Sequence, residues 1–107
     1  MIKIYEADVM KVVTDVLNVY NLLYTRNTIG GVTIKGQYVH FGTAGWSDII
    51  GMTHGGKFLA VEVKRPGGNL SEKQKNFLER VNAENGIGIV VDSVESLLNQ
   101  LKGRNVI

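Results

Sequence analysis

"AVEVKRPGGNLSEKQ", residues 60–74, sets an acid and a base inside what otherwise reads as a core strand. Ala60, Val61 and Val63 are small or β-branched, as a buried strand favours. Glu62 and Lys64 interrupt them two positions apart, so both side chains leave the same face. "RPGGN" (65–69) is a flexible connection. "SEKQ" (71–74) has capping-box spacing: Ser71 can cap the first free amides of a helix while Gln74 reaches back. That helix runs to about Asn85, with Phe77, Leu78 and Val81 inward, and Gly86 ends it. "IGIVV" (87–91) is a short buried strand. Asp92 and Glu95 repeat the capping-box spacing, and Val94, Leu97, Leu98 and Leu101 give a final amphipathic helix. The tail "GRNVI" reads as loose.

Upstream, residues 5–20 place Val9, Val12, Val13, Val16, Leu17 and Tyr20 at helical spacing, with a wide apolar stripe. "LLYTR" (22–26) is a short strand, and Gly30-Gly31 a turn. "VTIKGQYVHF" (32–41) is a strand or a hairpin. "WSDIIGM" (46–52) and "KFLAVEVK" (57–64) pair as a hairpin around "THGG". The expected order is α, β, β, β, β, α, β, α: a mixed sheet with helices on its faces, an α/β fold in one small domain spanning residues 1–107.

Hydrophobic residues make up 44% of the 107 and charged residues 21%, enough for a core and too polar for a membrane protein. No apolar run approaches the roughly 20 residues of a membrane span. No secretory signal is visible, and the absence of cysteine removes thiol catalysis and zinc–thiolate sites and fits a cytosolic protein. The net charge of +2 permits a polyanionic partner. The excess is local: residues 64–80 carry Lys64, Arg65, Lys73, Lys75 and Arg80 against Glu72 and Glu79. No GxGxxG and no Gly-Lys-Ser/Thr is present, so no nucleotide cofactor is expected.

Counting across the hairpin gives the site. With His54-Gly55-Gly56 as a three-residue loop, position i faces position 110 − i, and Asp48 lies opposite Glu62 on one face. Two carboxylates that close repel unless a divalent cation sits between them, and oxygen-only ligation is the Mg²⁺ pattern, with Mn²⁺ as substitute. Lys64 stands one step along the same face. Two acids, a lysine and a cation can hydrolyse a phosphodiester. A solvated surface pair is the alternative reading of Glu62 and Lys64.

"SDIIG", ten residues, "EVK" and then a capped helix bearing Gln74 resemble the PD-(D/E)xK nuclease superfamily, and within it the virus-type replication-repair nuclease (VRR-NUC) family. The likeness spans roughly residues 6–91 and includes Glu6, "RNTIGG" (26–31), Gly45 and "LSEKQKNFL" (70–78). It implies a restriction-endonuclease-like core, αβββαβ. It also implies that Asp48, Glu62 and the backbone carbonyl of Val63 ligate the metal and that Lys64 positions or deprotonates the attacking water. Gln74 and Glu6 would approach the same cleft, although a capping role for Gln74 and a helix-dipole role for Glu6 stand as alternatives. Ser47 replaces the proline that names the superfamily.

Arg65, Lys73 and Lys75 would hold the DNA backbone with Lys64, and Arg26 and Asn27 would contact a phosphate or simply be solvated. His40 and His54 are read as neither ligand nor base. Trp46 is read as packing, with stacking on a base as its alternative. Stand-alone members of the family resemble dimeric junction-resolving enzymes. The resemblance therefore implies a metal-dependent, structure-selective endonuclease, a homodimer acting on branched DNA such as Holliday junctions. It also implies phage or prophage origin and a bacterial cytoplasm. The rival readings are a non-catalytic nucleic-acid-binding module, an interaction domain that pairs through the first helix, and a sequence-specific restriction-type nuclease.

Overall fold

The computed structural model describes residues 2–107. Its elements are α1 (Glu6–Val19), β1 (Leu23–Arg26), β2 (Gly30–Ile34), β3 (Gln37–Phe41), β4 (Ile49–Met52), β5 (Phe58–Val63), α2 (Glu72–Ala83), β6 (Ile87–Val91) and α3 (Val94–Gly103). Four strands form a mixed sheet in the order β1-β4-β5-β6. β4 lies antiparallel to β1 and β5, and β6 is parallel to β5, reached by the α2 crossover. This is the expected α/β domain.

The two-residue period of β5 divides the core. Leu59, Val61 and Val63 join Val9, Val13 and Leu17 of α1 and Leu97 and Leu101 of α3 in one cluster. Ala60, on the opposite face, packs with Leu78 and Val81 of α2. The chain is therefore layered, with α1 and α3 on one side of the sheet and α2 alone on the other. Glu62 and Lys64 share the α2 side with Ala60.

All three helices stop in the same way. Asn21, Asn85 and Asn105 take positive φ, a conformation that Asn tolerates better than most residues. The next residue then donates its N–H five positions back, from Leu22 to Leu17, Gly86 to Val81 and Val106 to Leu101. These are Schellman-type ends, in which a left-handed residue lets the chain recover an orphan carbonyl. Asn85 rather than Gly86 therefore takes the left-handed position at the end of α2. The tail is not loose either: after Asn105 the chain folds back, and Val106 and Ile107 pack against the first cluster. The spacing at Asp92 and Glu95 does not form the expected box. Ser93 is the N-cap of α3, accepting from the N–H of Ser96 at 3.0 Å.

Residues 30–41 form a hairpin rather than one strand, closed by Lys35 and Gly36 with φ of 49° and 78°. Positive φ at both central residues matches the right-handed twist of the flanking strands. β2 and β3 make a two-stranded sheet of their own, with Val32, Ile34, Tyr38, Val39 and Phe41 exposed.

Candidate active site

The β4–β5 register is the counted one. Ile49 faces Val61, Ile50 faces Ala60 and Met52 faces Phe58. Thr53 donates its N–H to Lys57 O at 2.8 Å, which leaves His54, Gly55 and Gly56 as the loop. Gly56 takes φ 85°, the left-handed residue a three-residue hairpin loop requires. Continued by one residue, this register sets Asp48 alongside Glu62. Asp48 itself lies just before β4, in a bend rather than in the longer strand expected over 46–52. Gly45, at φ 84°, turns the chain there, and its missing Cβ leaves room for Lys73, whose own Cβ would stand 3.2 Å away.

Most polar groups at this end of the hairpin are held. Asp48 Oδ2 accepts the N–H of Val63 at 2.9 Å. Asp48 O accepts the N–H of Asn27 at 2.7 Å, extending the β1–β4 ladder. Glu62 is only 2% exposed. Its Oε1 accepts from Gln74 Nε2 at 3.2 Å and lies 3.7 Å from Lys64 Nζ. Its Oε2 is buried with no hydrogen-bond partner among the described residues. A buried carboxylate oxygen left unpaired is costly, and either a proton or a cation would relieve it. Asp48 and Glu62 both offer oxygen donors, as a hard divalent ion prefers.

Burial drives the Glu62 carboxyl from its usual 4.5 up to about 8; the neighbouring Asp48 carboxyl adds to the rise, and Lys64 opposes it. The protein thus holds an acid where it resists ionisation, which is a common feature of functional sites.

Gln74 completes the capping box and also reaches Glu62. Its Oε1 accepts the N–H of Ser71 at 2.9 Å, while its own N–H donates to Ser71 Oγ at 3.2 Å, so the capping box is complete. Anchoring the oxygen on Ser71 turns the NH₂ end toward Glu62. Glu at position 74 would keep the cap but aim a carboxylate oxygen at Glu62 Oε1. Gln74→Glu should therefore melt close to wild type at low pH and fall below it as pH rises and the two carboxyls come to repel. Thermal melts of both proteins across pH check this, and parallel profiles would reduce Gln74 to a cap.

The remaining candidates sit as follows. Glu6 is exposed in the first turn of α1. Among the described residues, no group of three or more His, Asp and Glu side chains is close enough to hold a metal. Asn27 uses both ends of its amide on the backbone of Thr43, at 2.8 and 2.9 Å, bracing the base of the β2–β3 hairpin. Arg26 is exposed on β1 beside Ile49. Arg65 and Lys73 are exposed, and Lys75 lies 3.8 Å from Glu72. His54 Nε2 meets Tyr20 O at 3.0 Å, and His40 stands edge-on to Tyr38.

Ser47 is a residue whose burial the sequence does not signal. It is 1% exposed, and its Oγ has no partner among the described residues. Removing an unpaired buried hydroxyl forfeits no hydrogen bond. Ser47→Ala should leave the denaturant midpoint unchanged or raised by up to about 1 kcal/mol of stability; a clear loss would mean that the hydroxyl has a partner in solution.

The profile of the VRR-NUC domain matches residues 34–95, more than half of the chain. The chain belongs to the VRR-NUC family. No curated protein and no solved structure matches it. VRR-NUC domains form a nuclease family with DNA as substrate. The matched segment of this VRR-NUC chain runs from the end of β2 to the start of α3 and contains Asp48, Glu62, Val63, Lys64 and Gln74. Glu6, Arg26 and Asn27 fall outside it.

Proposed function

We propose that this chain is a metal-dependent endonuclease that cuts branched DNA. The observation that carries the reading is the buried Glu62 carboxylate, with one oxygen unpaired, held between Asp48, Lys64 and Gln74. Asp48, Glu62 and the carbonyl of Val63 would hold Mg²⁺, which would polarise the phosphate and lower the pKa of a bound water. Lys64 orients the attacking water and can accept or return its proton. Gln74 keeps Glu62 aimed. Lys64, Arg65, Lys73 and Lys75 follow one another along the strand end and the α2 start, a basic track suited to phosphates.

Phosphate contacts carry no sequence information directly, so specificity would come from the shape of the DNA. A second copy would lengthen the basic track. The exposed Val12 and Val19 of α1, with Tyr20 capping its end, support a homodimer across that helix.

The test is cleavage of end-labelled four-way junction, flap, splayed-arm and linear duplex DNA with Mg²⁺ or Mn²⁺. Metal-dependent cutting of a branched form above the linear duplex is the expected result. Binding without cutting in either metal would leave a binding module, and fixed cuts in long linear DNA would leave a restriction-type enzyme.

A further inference from the structure

The α2 side of the sheet has a second feature beside the acids. The even-numbered face of β5 changes character along its length, from Phe58 and Ala60 to Glu62 and Lys64. Trp46, Phe58 and Phe77 converge on the apolar half. The Trp46 and Phe77 rings stack with centroids 4.9 Å apart at 26°, and Phe58 meets Trp46 edge-on at 6.2 Å. These three rings, with Asn76, Arg80 and Gly86, line an open cavity of about 580 Å³. Trp46 remains 44% exposed although Phe77 covers one of its faces.

We propose that this cavity is a stacking site for an unpaired nucleobase of the DNA strand that crosses the acids. The inference rests on the nuclease reading of the neighbouring site and adds what selects its substrate. Continuity with that site argues for a base as occupant. Trp46 is two residues from Asp48, at most about 7 Å along the chain. Phe77 is one helical turn beyond Gln74, so both halves of the aromatic stack are carried by segments that also carry the candidate active site. Lys73 lies against Gly45 at the same corner, where a phosphate of the strand would pass. Aromatic faces accept any base, and Asn76 supplies polar groups at the cavity wall, where Arg80 is paired with Glu84. A base can enter only when it is unpaired. The pocket therefore favours DNA with a flap, a fork or a junction over continuous duplex, without reading sequence.

Trp46 is the only tryptophan in the chain and reports on its own pocket. The experiment is binding in chelator, where no cutting occurs, to splayed-arm DNA in which a single abasic residue is walked across the unpaired strand. Intact DNA should quench Trp46 emission, and an abasic residue at one position should abolish the quench and weaken binding roughly 5- to 150-fold, the range for one stacked base. Trp46→Leu should lower affinity for intact DNA to that of the abasic DNA and show no further loss at the abasic position. Trp46→Phe, which keeps a ring on Phe77, should recover most of the affinity. Equal binding of intact and abasic strands at every position, or Trp46→Leu binding like wild type, would overturn the inference. Should Trp46→Leu fail to fold, the abasic walk on the wild-type protein decides alone. Because no cleavage is needed, a pocket without nuclease activity and a nuclease without a pocket give different results.

Discussion

Glu62→Gln is expected to melt higher than wild type in chelator and to lose cleavage by 10²-fold or more, on the order of several kcal/mol of transition-state stabilisation. The two effects share one cause. Glu62 is buried beside Asp48, and its carboxyl is pushed up to about 8 from 4.5. Between those pH values the folded protein keeps a proton that the unfolded chain releases. Wild-type stability is therefore highest below about pH 4.5 and declines as pH rises to about 8, by this group's contribution. Gln keeps the shape and carries no charge, so the variant should lack that decline, and its advantage should widen with pH. Mg²⁺ should reverse the order by stabilising only the wild type, since a ligand bound to the folded state raises its melting temperature by mass action. Thermal melts from pH 4 to 9, with chelator and with Mg²⁺, check the prediction. Parallel pH profiles for the two proteins would mean that Glu62 is solvated, and the metal reading would go with it.

Lys64 separates charge from proton transfer. Lys64→Ala should lower the cleavage rate about 10²- to 10⁴-fold, the usual range for losing a positioned acid–base group. Lys64→Arg keeps the positive charge 3.7 Å from Glu62 in approximate terms but cannot give up a proton at working pH. It should recover DNA affinity and little of the rate. Lys64→Ala also removes the one charge that opposes the rise of Glu62 toward about 8. On the proposed mechanism Glu62 would have to lose its proton to hold a metal, so the residual activity of that variant should begin at higher pH than in wild type. Single-turnover rates against pH, with affinities measured in chelator, check both statements. Full activity in Lys64→Arg would restrict Lys64 to a charge.

Much of the layout was legible because it is local. The period of two in "AVEVK" puts Glu62 and Lys64 on one face whatever packs there. A three-residue loop at His54–Gly56 sets the register by chain length, and the observed pairs follow it. Ser71 and Gln74 are three residues apart, so their reciprocal cap needs nothing beyond its own turn. The β2–β3 hairpin was half legible. Its turn lies in "KG", but its alternation does not reveal that these strands leave the main sheet and expose their apolar residues.

Pattern and loop length alone therefore determined an α/β chain in which Asp48, Glu62 and Lys64 meet on one face, with Gln74 at the head of the following helix. Tertiary structure decided what those groups are chemically. α2 buries Glu62, the Ser71 anchor turns the Gln74 amide toward it, and Asp48 and Lys64 set competing fields on its proton. Packing also gathered Trp46, Phe58 and Phe77 from a turn, a strand and a helix into one cavity. Burial and electrostatics depend on what crosses the sheet from distant segments, and hydrophobic periodicity carries only which side a residue leaves from, not what it meets there.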